Sequence, residues 1–124
     1  MLLEREFSFD AAHRLESYHG KCENLHGHTY RLSVEIEGSP DADGMIVDFA
    51  RVKEIVDREV ISKFDHSYLN DFIRQPSAEN IARFVFERLE PLLKGPDYFL
   101  SAVRVWETPR SSVTFRRRDM ESPK

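Results

Sequence analysis

The chain is expected to fold as an α+β unit of order ββααββ, with both helices on one face of a four-stranded antiparallel sheet. Three observations lead there. Two early stretches alternate apolar and polar residues, as half-buried strands do. Two central segments carry apolar residues at helical spacing, each behind a capping residue. Two further alternating stretches close the chain.

The first strand, about Glu4 to His13, places Phe7, Phe9, Ala11 and His13 on one parity and therefore on one face. The loop Arg14 to Leu25 carries the only cysteine, Cys22. The second strand, about His26 to Glu37, alternates through Tyr30, Leu32, Val34 and Ile36, and the turn formers of Gly38-Ser39-Pro40-Asp41-Ala42-Asp43-Gly44 end it. Met45-Ile46-Val47 reads as a short extended run. Asp48 then caps a helix with Phe49, Val52, Val56 and Val60 at helical spacing. A loop from Phe64 to Gln75 contains Asp65-His66. Ser77 caps the second helix, whose buried stripe is Ile81, Phe84, Val85, Leu89 and Leu92, and Lys94-Gly95-Pro96-Asp97 stops it. The last strands, about Phe99 to Glu107 and Ser112 to Arg117, are joined across Thr108-Pro109-Arg110-Ser111.

At 124 residues, with 40% hydrophobic content, residues 1–124 suit one domain with a modest core. A net charge of -4 gives no case for nucleic acid or a membrane surface as partner. Arg116-Arg117-Arg118 reads as a solvated tail. One cysteine excludes an intrachain disulfide and suits a reducing compartment. Met1-Leu2-Leu3-Glu4-Arg5-Glu6 becomes charged too soon for a secretory signal, and no apolar run reaches membrane-spanning length. A cytoplasmic protein is expected.

The densest chemistry lies where the first two strands meet. His26-Gly27-His28 puts two imidazoles on the apolar face of the second strand, and His13 ends the apolar face of the first. Pairing the strands as a hairpin brings all three to one edge of the core. Glycine between the two histidines would let the backbone come close to whatever they hold. Three protein ligands with a vacant fourth position is the arrangement of catalytic zinc. Cys22, four residues before His26, can be a low-pKa base or nucleophile, or a fourth ligand closing a structural site. Spacing does not separate these. Asp65-His66 can relay protons or can be a solvated loop pair. Glu107 shares parity with Val103 and Val105, so it ends an apolar face. There it needs a partner, such as a ligand with two adjacent N–H donors, or it reaches water. His19 and Lys21 flank the cysteine as loop residues, with His19 a possible alternate ligand and Lys21 a possible anion contact.

Nearly the whole chain resembles the 6-pyruvoyltetrahydropterin synthase / 6-carboxytetrahydropterin synthase family. The carrying stretches are Phe9-Asp10-Ala11-Ala12-His13, Cys22-Glu23-Asn24-Leu25-His26-Gly27-His28, Gly44-Met45-Ile46-Val47-Asp48-Phe49, Phe64-Asp65-His66, Pro76-Ser77-Ala78-Glu79-Asn80 and Trp106-Glu107-Thr108. The resemblance implies that His13, His26 and His28 bind Zn2+, with Cys22 the catalytic base and Asp65 and His66 its relay. Glu107 would anchor the guanidine-like edge of a pterin ring. It further implies the tunnelling fold, in which ββααββ subunits form a trimeric barrel and two barrels stack into a homo-hexamer. Active sites would lie between subunits, so Asp65, His66 or Glu107 could serve a neighbour's zinc.

The substrate implied is 7,8-dihydroneopterin triphosphate. The form Cys-x-x-Leu-His-Gly-His is closest to the bacterial 6-carboxy branch, a zinc-dependent lyase on the path to queuosine that releases acetaldehyde and triphosphate. A 6-pyruvoyltetrahydropterin product is the alternative. Glu23 occupies the position of the glutamate that another branch uses to make 6-hydroxymethyl-7,8-dihydropterin for folate, which leaves the product open and a dual activity possible. A non-catalytic, zinc-stabilised pterin-binding assembly, with Cys22 as fourth ligand, is the remote alternative.

A four-stranded sheet with helices on one face leaves two unpaired edges and one uncovered face, which joining copies edge to edge would remedy. The chain is therefore expected to be a homo-oligomer at micromolar concentration. A single monomeric species in sedimentation velocity would refute this.

Overall fold

The computed structural model describes residues 1–16 and 24–121. Within them β1 (Leu2–His13) and β2 (His26–Gly38) form one long antiparallel hairpin, in register from Leu2↔Glu37 to His13↔His26. β2 pairs antiparallel with β5 (Tyr98–Thr108), and β5 with β6 (Ser111–Arg116). These are the four expected strands, each within two residues of its expected bounds.

Two strands of two residues each complete a six-stranded mixed sheet. β3 (Ser67–Tyr68) runs parallel to β1 beside Ala11 and Ala12, inside the segment expected to be loop. β4 (Lys94–Gly95) pairs with the start of β5. Two residues are too few to show an alternating pattern, so neither strand was legible in the sequence. Met45-Ile46-Val47 is not a strand. The Asp41 carboxylate accepts from the Asp43 and Met45 backbone N–H groups and curls the segment instead.

Between the hairpins lie α1 (Phe49–Val56), a π-helical segment Asp57–Ile61, α2 (Ser62–Phe64) and α3 (Ala78–Leu89). Asp48 and Ser77 cap α1 and α3 as expected, accepting from Ala50 N at 2.8 Å and Asn80 N at 3.2 Å. Val52, Val56, Val60 and Phe64 are all fully buried. That four-residue spacing would drift round an ideal α-helix of 3.6 residues per turn. The wider π segment keeps all four against the sheet. Phe49, by contrast, is exposed, because it lies in the first turn ahead of the buried face. At the end of α3 the chain turns after Leu89, so Leu93 is buried and Leu92 is exposed.

The helices cover the face carrying Phe9, Tyr30, Leu32, Val34, Val103 and Val105, all in one core cluster. Phe64 is central to it, with its ring 5.5 Å from Phe9, 5.5 Å from Phe84 and 5.7 Å from Phe72. The opposite face, away from α1 and α3, carries Glu6, Asp10, Thr29, Arg31, Arg104 and Trp106. There Trp106 is sheltered by guanidinium groups, with Arg31 at 3.8 Å and Arg104 at 4.3 Å from its ring centroid. No helix among the described residues is long and apolar enough to cross a membrane.

Replacing Phe64 with Ala removes the ring that joins α2 to β1 and to α3. A loss of about 3–5 kcal/mol in denaturant unfolding is expected. A loss well below that range would mean that the ring is not central to the core.

Candidate active site

The hairpin register sets His13 opposite His26 and Ala11 opposite His28, with Phe9 and Tyr30 one step further along the same face. The Nδ1 or Nε2 atoms of His13, His26 and His28 lie within 4.8 Å of one another. Their rings stand nearly perpendicular, at 75°, 80° and 87°, with centroids 4.6–5.1 Å apart. His13 is fully buried, His28 half-buried and His26 exposed.

Backbone carbonyls orient two of the rings. His13 Nδ1 lies 2.7 Å from Pro76 O, and His26 Nδ1 lies 2.9 Å from Asn24 O. A carbonyl oxygen only accepts, so each Nδ1 carries the hydrogen and donates it. In the neutral rings the lone pair is then on Nε2, and the two Nε2 atoms face each other at 2.9 Å. Two acceptors at that distance need a positive charge between them. Imidazole nitrogens held by a hydrogen bond on the far side of the ring are the ordinary donor set of a bound divalent metal. The residues present fit such an ion.

Pro76 belongs to a network that sequence reasoning missed. Ser77 caps α3, and Asn80 Nδ2 donates to Gln75 O at 2.8 Å. The Gln75 side-chain amide accepts from Glu16 N at 2.9 Å and donates to Glu16 O at 3.0 Å, while Asn70 does the same for Arg14 at 2.9 and 2.8 Å. Side chains thus pair the backbone that leaves β1. The only sequence signal here was the Pro76-Ser77 helix start, which gave no sign of the contact to His13.

Gly27 faces the other way. A β-carbon there would meet Ala11 O at 3.4 Å, and the residue lines two cavities together with His28 and Thr29.

Asp65 and His66 do not join the histidines within this chain. They cluster with Asp10, which alternates out to the face away from α1 and α3. Asp65 Oδ1 accepts from Asp10 N at 3.0 Å, His66 N donates to Asp10 O at 2.6 Å, and His66 Nδ1 lies 3.1 Å from Asp65 Oδ2. His66 is held at φ 59°, a left-handed conformation uncommon for a residue with a side chain. A cavity of about 540 Å³ lies there, lined by Asp10, Gly27, Thr29 and His66.

Glu107 takes the opposite course and reaches the histidines of its own chain. Its Oε1 is 3.4 Å from His13 Nε2 and 3.6 Å from His28 Nε2. It lies at a break in the β5–β6 ladder, which pairs Trp106 with Ser112 and Thr108 with Ser111. Burial, and then the Glu107 charge, push the Tyr30 phenol up, so it stays protonated. Cys22, Glu23, His19 and Lys21 lie outside the described residues.

The family model for 6-pyruvoyl tetrahydropterin synthase matches residues 2–118. The chain is 36% identical over 140 residues to a 6-carboxy-5,6,7,8-tetrahydropterin synthase of Haemophilus influenzae, covering 92% of this chain and 97% of the relative. It is 40% identical over 100 residues to a dihydroneopterin monophosphate aldolase of Pyrococcus furiosus, covering 81% of this chain and 83% of the relative. The structure of Caenorhabditis elegans 6-pyruvoyl tetrahydropterin synthase superposes with a TM-score of 0.81 at 32% identity, covering 94% of each chain. The chain belongs to the 6-pyruvoyl tetrahydropterin synthase family and has its tunnelling-fold subunit. That places it among the pterin synthase enzymes.

The Asp65 carboxyl is held below the ordinary carboxylate range, first by the Asp10 N–H; desolvation opposes this, and the His66 charge adds to it. A depressed carboxyl contributes stability above its unfolded pKa and loses it as pH falls through the folded value. Asp65→Asn is therefore expected to lower Tm at neutral pH and to show a smaller further loss on acidification through and below the ordinary carboxylate range. Superimposable Tm–pH curves for the two proteins would show that the contact contributes nothing.

Proposed function

We propose that the protein is a zinc-dependent lyase that converts 7,8-dihydroneopterin triphosphate to 6-carboxy-5,6,7,8-tetrahydropterin, releasing acetaldehyde and triphosphate in deazapurine (queuosine) biosynthesis. The observation that carries the metal part is the pair of Nε2 lone pairs facing each other at 2.9 Å, with each far nitrogen committed to a carbonyl. The product part rests on the Haemophilus influenzae relative together with the Cys22–His28 motif.

In this reading His13, His26 and His28 hold the ion. Bound there, Zn2+ supplies Lewis acidity toward the side-chain oxygens of the substrate. Cys22 removes the carbon-bound proton as a thiolate. Asp65 and His66 pass protons as the double bonds of the ring and side chain rearrange. Glu107 accepts from the paired N–H groups of the pterin edge.

Asp65 and His66 open onto the face away from α1 and α3, whereas the histidines belong to the helix-covered face. A second copy bringing its Asp65–His66 pair to this chain's histidines completes the constellation. We therefore propose a homo-hexamer, a dimer of trimeric barrels with its sites between subunits.

A second reading has one specific support. The related proteins include an aldolase as well as synthases, and Glu23 stands beside Cys22. With Glu23 as the base, the product becomes 6-hydroxymethyl-7,8-dihydropterin. Mass spectrometry of products from zinc-loaded protein and 7,8-dihydroneopterin triphosphate separates the two. 6-Carboxytetrahydropterin with acetaldehyde is expected. Predominant 6-hydroxymethyldihydropterin would transfer the assignment to folate synthesis, and unconsumed substrate would favour a binding role.

A further inference from the structure

The Glu107 carboxylate stands between two ring nitrogens at distances too long for good hydrogen bonds. His13 Nδ1 is already committed to Pro76 O at 2.7 Å, so His13 Nε2 presents a lone pair. Glu107 Oε1 faces that lone pair at 3.4 Å, and an ionised carboxylate has no proton to offer. Acceptor thus faces acceptor beside a fully buried imidazole. A proton shared between His13 and His26 would relieve their own contact and draw the carboxylate toward His13, but it would not bring His28 into the cluster. A cation enclosed by all four groups accounts for both.

The two carboxylate separations agree with this, while the two Nε2 atoms of His13 and His26, at 2.9 Å, would have to part slightly around the ion. Ligand atoms about 2.1 Å from a tetrahedral divalent ion stand about 3.4 Å from one another. Glu107 Oε1 is 3.4 and 3.6 Å from the Nε2 atoms of His13 and His28, too far for good hydrogen bonds and close to the edges of such a polyhedron. The backbone is also shaped for it. The ladder step from Trp106↔Ser112 to Thr108↔Ser111 leaves Glu107 out of the β5–β6 register, and such irregularities re-aim a side chain.

We infer that Glu107 is the fourth ligand, from the same chain, of the ion held by His13, His26 and His28 when no substrate is bound. The inference rests on the metal centre proposed above and goes beyond it, because it makes the fourth position occupied rather than vacant at rest. The carboxylate is 30% exposed, so it can withdraw as a substrate oxygen takes its place. The freed carboxylate is then available to a ring edge bearing adjacent N–H groups, which joins metal exchange and ring recognition in one side chain.

The test uses the full chain loaded with Co2+, read by its visible absorption and by competition with a chromophoric chelator. Glu107→Gln keeps the shape and removes the charge. It is expected to weaken Co2+ binding by about tenfold or more and to shift the visible bands. Addition of 7,8-dihydroneopterin is expected to shift the bands of the wild-type protein as Glu107 leaves. Unchanged affinity and bands in Glu107→Gln, with Co2+ lost in His26→Ala, would overturn the Glu107 assignment alone. Wild-type affinity in His26→Ala would instead remove the metal centre beneath it. A sulfur-to-cobalt charge-transfer band abolished by Cys22→Ala would give the fourth position to the thiolate and also overturn the assignment.

Discussion

Side chains of a strand alternate faces, so moving β2 by one residue along β1 would carry His26 and His28 out of the core and Gly27 into it. The register His13↔His26 therefore decides whether a histidine cluster exists at all. What holds it is the apolar column beneath. Phe9 stacks on Tyr30 at 5.0 Å, and Leu32, Val34 and Ile36 are fully buried against the helices. A slip would expose that whole column. The core thus positions the imidazoles, and backbone carbonyls take up the Nδ1 hydrogens of His13 and His26.

The same alternation divides the chemistry between two faces. Odd-numbered positions of β1 lead to the histidines, and even-numbered Asp10 leads to Asp65 and His66. On the face away from α1 and α3, Trp106 is covered by arginines rather than by a helix. In the reading proposed above, a chain with Asp65 and His66 on one side of its sheet and the three histidines on the other needs a second copy to bring them together.

How much was legible follows from the range of each signal. Parity along a strand is local and strong, so the convergence of His13, His26 and His28 could be read from the sequence, as could the caps Asp48 and Ser77. Strands of two residues and a π segment leave no periodic trace, and β3 and Asp57–Ile61 were missed for that reason. Backbone acceptors are invisible in a sequence, because every residue has one. Nothing in the letters distinguishes Pro76 O from any other carbonyl, yet it settles the tautomer of His13. Parity with Val103 and Val105 put Glu107 on the face of the histidines, and the structure has it there, but the register irregularity between Trp106 and Thr108 left no trace in the sequence.

The bond from His13 to Pro76 has a consequence for how the protein can vary. Its acceptor is main chain, so no substitution of the residue at position 76 deletes the oxygen itself. The orientation of His13 is in that sense buffered against point changes in its partner. Its vulnerability lies in spacing. An insertion or deletion between Asn70 and Asn80 would shift the carbonyl relative to β1 and would also break the amide contacts to Arg14 and Glu16. Among relatives of this chain, length in that segment should be far more constrained than residue identity at position 76.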